Sequence, residues 1–345
     1  MRTNPPVSQK IHEADLEIVD AFVAAVHRSR QLAEEMGHIR WVSTSWGDAT
    51  PRGLASAVVS CTNLRSLKVI DLSRRAQMLD DFADTLSNDS LARVIWTRLD
   101  TLLLLRSSDA APIRVESLRA ILSAVGQITG AFVNVGSDLQ AVAATTLAGL
   151  TSLTSLRGSL GILEDMILQY DQLTDNQAPR RRRLCQIDLQ GSTASAYQRT
   201  VVEQLNQLPV PHPFLATVRI LKIPFYSIPT NFGVVIRHLT GLRKVDMPWE
   251  LVPDLHLFDD AARALRHLKV CGTSSEPVKM VLQLMEYLEH DPTDATPRLK
   301  RLRAIEIQIS ARHDAALLDQ TDGLSSAKAR MLTWCRARRI SFKWE

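Results

Sequence analysis

The sequence predicts an α/β solenoid in which short parallel strands are backed by helices. Three observations predict it. A unit of the form Leu-x-x-Leu-x-(Leu/Val/Ile), followed by polar residues and an amphipathic stretch, recurs along most of the 345 residues. Leucine is abundant, with 47 residues, while aromatic residues make up only 5%. The stretches between the units repeat their apolar residues with helical spacing. A strand followed by a helix, repeated with short connections, makes the strands parallel. Each unit then buries its apolar stripe only against its neighbours.

The clearest copies are Leu64-Arg-Ser-Leu67-Lys-Val69, Leu99-Asp-Thr-Leu102-Leu-Leu104 and Leu184-Cys-Gln-Ile187-Asp-Leu189. Leu215-Ala-Thr-Val218-Arg-Ile220, Leu242-Arg-Lys-Val245-Asp-Met247, Leu265-Arg-His-Leu268-Lys-Val270 and Leu302-Arg-Ala-Ile305-Glu-Ile307 continue the series. Val42-Ser-Thr44, Val133-Asn-Val135, Leu153-Thr-Ser-Leu156 and Ile340-Ser-Phe342 are weaker copies. Anchoring each copy on its Leu-x-Leu gives ten steps between residues 42 and 340, with intervals from 23 to 37. The mean of roughly 30 lies near the long end for leucine-rich repeats. The expected architecture is therefore a leucine-rich-repeat horseshoe with a concave parallel sheet and convex helices. Residues 37–345 form an irregular solenoid of about eleven strands.

The helices follow from the intervals. Leu79, Phe82, Ala83 and Leu86 fall at i, i+3, i+4 and i+7, as do Leu118, Ile121, Leu122 and Val125, with Gly126 placed to end that helix. Val278, Val281, Leu282, Met285 and Leu288 extend the same stripe, after Ser274 or Ser275 as cap and with Pro277 in the first turn. Leu16, Val19, Val23 and Val26 make residues 9–36 helical, and residues 1–36 serve as a cap over the open edge of the first repeat. The stretch from Met331 to Glu345 closes the other end with a last helix and strand.

Composition narrows the setting. No run of 18 apolar residues predicts a membrane span, and the prolines and charges of the first 20 residues do not fit a signal peptide. Cys61, Cys185, Cys271 and Cys335 lie at least 64 residues apart, which fits reduced thiols rather than a metal site or disulfide framework. A cytoplasmic or nuclear monomer is expected. Net charge is +4, from 41 basic and 37 acidic residues, too balanced for a nucleic-acid stripe with stacking aromatics.

Motifs for chemistry are absent, and neither catalysis nor a cofactor is expected. His12-Glu-Ala-Asp-Leu16 begins a zinc-helix pattern and fails at Leu16, which cannot ligate. Gly158-Ser-Leu-Gly161 lacks the spacing and lysine of a phosphate loop. Asp80-Asp81 and Asp259-Asp260 fall in helical stretches, as solvated faces or caps. Arg180, Arg181, Arg182 and Arg183 form the strongest charge run, in a turn leading to Leu184. They make an alternative function concrete: a basic repeat protein that binds RNA or an acidic ligand.

The repeat names its own binding face. The Leu-x-Leu residues point into the core, and the residues between them alternate outward. The candidates on the concave face are Lys68, Thr101, Gln186, Asp188, Arg219, Lys244, Asp246, His267, Lys269, Glu306 and Gln308, with Ser66, Leu103, Thr217, Ser341 and Lys343. Repeat proteins hold protein partners on such surfaces.

Several features carry a family resemblance. His38-Ile-Arg-Trp-Val-Ser-Thr-Ser-Trp-Gly47 reads as a first strand, and Cys61-Thr-Asn-Leu-Arg-Ser-Leu67 closes a helix and opens the next strand. The openings with Leu-x-x-Leu recur, and Trp334-Cys-Arg-Ala-Arg-Arg-Ile-Ser-Phe342 ends the chain. With these, the sequence resembles the leucine-rich-repeat, F-box-type proteins of mushroom-forming fungi. The resemblance implies a substrate-recognition subunit of a cullin-type ubiquitin ligase, with a Skp-type adaptor as second partner. The chain departs from that family in two ways. No F-box opening is visible, and the slots of the repeat's ladder asparagine hold Leu72, Ser192, Glu250 and Thr273.

Overall fold

The computed structural model describes residues 21–43, 60–71, 77–88, 98–106, 113–135, 139–171, 184–189, 203–224, 232–258, 264–272, 277–289, 301–309 and 322–345, apart from positions 22, 37, 126, 205 and 209. They fall into two compact units, one within Met1–Thr154 and one comprising Ser155–Asp171 and the chain from Arg183 onward. Both are α/β, with strands joined in parallel and helices between them.

In the first unit, β1 (His38–Ser43), β2 (Ser66–Asp71), β3 (Thr101–Arg106) and β4 (Gly130–Asn134) are neighbours in chain order. Ile39, Leu67, Leu102 and Ala131 stand in one row, and Trp41, Val69, Leu104 and Val133 in the next apolar row. The rows move two sequence anchors. β1 is framed on Ile39 rather than Val42, and β4 on Ala131 rather than Val133. The helices are α1 (Arg30–Glu35), α2 (Gln77–Asn88), α3 (Val115–Ala124) and α4 (Gln140–Gly149). Leu118, Ile121, Leu122 and Val125 are all buried, as their spacing requires. Ser29 starts α1 by accepting the Leu32 amide at 3.2 Å. Asp80 is more than a solvated face, because with Asp84 it holds Arg114, the residue before α3, at 3.3 and 2.9 Å. This ion pair ties one repeat's helix to the start of the next.

In the second unit the strands are β5 (Ser155–Gly158), β6 (Gln186–Leu189), β7 (Ile220–Lys222), β8 (Lys244–Pro248), β9 (His267–Gly272), β10 (Ala304–Ile309) and β11 (Ser341–Trp344). They too pair in parallel in chain order. Leu156, Ile187, Leu221, Val245, Leu268, Ile305 and Phe342 form the first apolar row. The helices are α5 (Leu160–Asp171), α6 (Phe232–Ile236), α7 (Pro277–Glu289) and α8 (Asp322–Ala337). After β8 the chain forms a 3₁₀ segment, Trp249–Phe258, instead of an α-helix. Pro253 inside it has no amide to donate, which stops an α-helical ladder. The segment still buries Trp249, Leu251, Val252, Leu255 and Phe258. Leu282 departs from its predicted stripe: it lies on the outer side of α7, 42% exposed, and Leu284 is buried instead.

One backbone device recurs at the start of the strands. The carbonyl two residues before the first apolar-row residue accepts two amides from the following repeat. Arg65 O accepts from Asp100 and Thr101, and Asp100 O from Thr129 and Gly130. Cys185 O, Arg219 O, Arg243 O and Arg266 O repeat the pattern through Arg303 and Ala304, at 2.7–3.1 Å.

Leu102 and Leu268 are each 1% exposed. Either Leu→Ala change should cost about 2–5 kcal/mol in denaturant unfolding, and Leu282→Ala less than about 0.5 kcal/mol. Arg339, just after α8, has φ 57° and its amide bonds to Arg336 O. That left-handed position suits glycine, so Arg339→Gly should raise stability by about 0.5–1 kcal/mol, read as a higher urea midpoint.

Candidate protein-binding face

Alternation along each strand leaves one face of the sheet to polar side chains. In the first unit this face carries Ser66 and Thr101 in one row and Lys68 and Leu103 in the next, with Lys68 and Thr101 exposed. Phe132 stands in register beside Leu103, so the face turns apolar at β4.

The second unit is different. Its central outward row reads Arg157, Asp188, Lys222, Asp246, Lys269, Glu306 and Lys343 across seven strands. The charges alternate in sign at every step. Neighbouring strands lie about 4.8 Å apart, so each charge has an opposite charge in register on the next strand. Arg157 Nε lies 3.5 Å from Asp188 Oδ2, and Lys269 Nζ donates to Glu306 Oε1 at 2.8 Å. Lys343 pairs with Glu345. A second outward row carries Gln186, Ile220, Lys244, His267, Ala304 and Ser341. A third carries Pro248, Cys271 and Gln308.

These rows bring together most of the residues named from the sequence: Gln186, Asp188, Lys244, Asp246, His267, Lys269, Glu306 and Gln308. Arg219 and Thr217 stand outside these rows, contrary to the expectation from the sequence. β7 is framed on Leu221, so its outward residues are Ile220 and Lys222. Arg219 stands in the turn before the strand, where Nη1 donates to Gly241 O at 2.9 Å and Ala216 O at 3.3 Å. Thr217 is a turn residue too, its hydroxyl donating to Leu184 O and Phe214 O. Sequence reasoning missed Lys222 because Leu215-x-x-Val218-x-Ile220 and Val218-x-x-Leu221-x-Ile223 both satisfy the repeat. It missed Arg157 because Gly158 spoils its Leu-x-Leu. Arg180–Arg183 lie outside the described residues.

In the cluster on β8–β10, Glu306, Lys269, His267 and Cys271 are shifted from their ordinary titration ranges. The Lys269 hydrogen bond holds the Glu306 carboxyl below its ordinary range and raises Lys269 in turn. His267 Nε2 lies 3.5 Å from Glu306 Oε2. Burial and then the charge of Lys244 hold the ring below its ordinary value, against Glu306 and Asp246. The Cys271 thiol donates to Asp246 Oδ1 at 3.1 Å, and burial with that bond pushes it up to about 12. Cys271 is therefore a thiol, not a thiolate, near neutral pH. Among the described residues no group of three His, Cys, Asp or Glu side chains could hold a metal ion, and no helix is long and apolar enough to cross a membrane.

No family model matches the chain, and a search of the curated proteins finds none that matches it.

Two outcomes follow from this geometry. A depressed carboxyl contributes stability above its unfolded-state value, 4.5, which is lost as pH falls through the folded value. A raised lysine contributes stability below its unfolded-state value, 10.5, which is lost as pH rises through the folded one. The stability gap between the wild type and Glu306→Gln should be flat from about pH 6 to 9 and close in acid, measured by urea unfolding at each pH. At Gly241 an added Cβ would lie 2.4 Å from Ala216 O and against the Arg219 guanidinium. Gly241→Ala should therefore destabilise by about 1–3 kcal/mol in the same assay.

Proposed function

We propose that the chain is a leucine-rich-repeat interaction module that holds a protein partner on its open sheet face. The carrying observation is the set of outward rows in the second unit, where polar and charged side chains of successive repeats line up in register. A stack of repeats that presents one side chain per strand is a recognition surface whose chemistry varies repeat by repeat while the core stays constant. The alternating row favours a protein over a polyanion. Arg157, Lys222, Lys269 and Lys343 are interleaved with Asp188, Asp246 and Glu306, so the row has little net field to hold a run of phosphates. It suits a surface of mixed sign, where complementary charges select the partner and mismatched ones exclude others.

By the family resemblance, the partner is a substrate presented to a cullin-type ubiquitin ligase, with a Skp-type adaptor joining the chain to it. The test is affinity purification of the tagged chain from its own cells, followed by binding of each enriched protein to purified wild type and to a Lys244→Glu/Gln308→Arg variant. A stoichiometric adaptor and cullin support the ligase role, and their absence removes it. Partner affinity should fall about tenfold or more in the variant, with an unchanged melting temperature. A partner that binds both proteins equally overturns the open-face reading.

A further inference from the structure

A second charged row lies at the start of the strands in the second unit, outside the open face. The doubly accepting carbonyls there belong to Cys185, Arg219, Arg243 and Arg266, and the same register continues to Arg303. Arginine thus stands at equivalent positions immediately before β7, β8, β9 and β10. Neighbouring strands are about 4.8 Å apart, so the row stacks like charges at short range. Folding does not call for this, since like charges directly opposite one another on adjacent strands are destabilising.

One structural use of such an arginine is visible and can be separated. Arg65 donates from Nη1 to Arg98 O at 3.2 Å, and Arg219 donates from Nη1 to Gly241 O. Each accepting carbonyl is that of the residue before the opening leucine of the next repeat, so both guanidiniums staple one repeat to the next. Arg243, Arg266 and Arg303 make no staple and no ion pair among the described residues, and all three are exposed. Three consecutive repeats therefore hold free guanidiniums in one row.

We propose that Arg243, Arg266 and Arg303 form a comb that binds an acidic peptide segment of a protein partner. A guanidinium presents a planar fork of donors that fits a carboxylate bidentately. The spacing suits a peptide. Carboxylates three or four residues apart on a helix rise about 4.5–6 Å along its axis, close to the strand separation. A single-stranded nucleic acid would instead need aromatic side chains among the cations for its bases. The large aromatic residues of the neighbouring segments, Phe232, Trp249 and Phe258, are buried in the core. The comb is independent of the open-face reading, since none of its residues lies in the outward rows.

The experiment uses the full chain and poly-L-glutamate, followed by fluorescence anisotropy at low and at physiological salt. Four proteins are compared: wild type, Arg243→Gln/Arg266→Gln/Arg303→Gln, the open-face variant Lys244→Glu/Gln308→Arg, and a variant with Arg180–Arg183 changed to Gln. The expected result is salt-sensitive binding by wild type, weakened about tenfold in the comb variant and little changed in the other two. An Arg→Lys version of the comb should bind with intermediate affinity, because charge remains and the fork is lost. The melting temperature of each variant should match wild type, since the substituted side chains of the comb are exposed. Equal binding by wild type and the comb variant overturns the proposal, as does a loss confined to the Arg180–Arg183 variant. Tighter binding of a poly(U) oligonucleotide than of poly-L-glutamate, lost in the comb variant, overturns the assignment to an acidic peptide.

Discussion

At six strand junctions a backbone carbonyl sets the register on which the other features rest. Placed just before β2, β3, β6, β7, β8 or β9, it accepts two amides from the next repeat, so the following strand starts level with it. Level strands put Leu156, Ile187, Leu221, Val245, Leu268 and Ile305 into one buried row. The side-chain period of a strand is two, so the same constraint fixes the outward rows. A slip of one residue would carry the leucines to the open face and the charges into the core. The apolar rows therefore enforce the register thermodynamically, and the carbonyls enforce it geometrically.

Once the register is fixed, electrostatics follows from position. Residues one step after the apolar anchor become the alternating row, in which opposite charges meet across strands. Glu306 illustrates the result. Lys269 on one side donates to it, His267 lies within 3.5 Å, and its carboxyl is held below its ordinary range, first by the Lys269 hydrogen bond. In the second unit, residues two steps before the anchor become the arginine row from Arg219 to Arg303, where no carboxylate alternates. The same carbonyl device thus builds a nearly neutral, mixed surface and a separate, strongly basic row only a few residues away along the chain.

The repeat frames divide clearly into those legible from the sequence and those that are not. Leu102, Ile187, Val245, Leu268 and Ile305 could be framed because each sits in a full Leu-x-x-Leu-x-Leu-type unit with no competing phase. β7 could not, because Leu215, Val218, Leu221 and Ile223 support two frames three residues apart. There the outcome is decided by which carbonyl the chain reaches, Cys185 O pairing with Arg219 and Ile220. β1 and β4 went the same way: Trp41 and Ala131 are poor leucine substitutes by pattern, yet they stand opposite Val69 and Leu102. In α7 the stripe rule admitted both Leu282 and Leu284 to a plausible face, and packing against the 3₁₀ segment and α8 chose Leu284.

The α/β class, the order of strands and helices, and the identity of most outward residues are written in the linear chain. They are legible there because burial of a repeated leucine pattern is a local requirement that each unit states for itself. Three features arise only on folding: the outward charges alternate in sign from strand to strand, Arg219 serves as a staple rather than a surface contact, and Arg243, Arg266 and Arg303 fall in one row. These are relations between residues 22 to 37 positions apart. Unequal repeat lengths hide them in the linear sequence, and they become neighbours only when hydrogen bonds bring each strand level with the last.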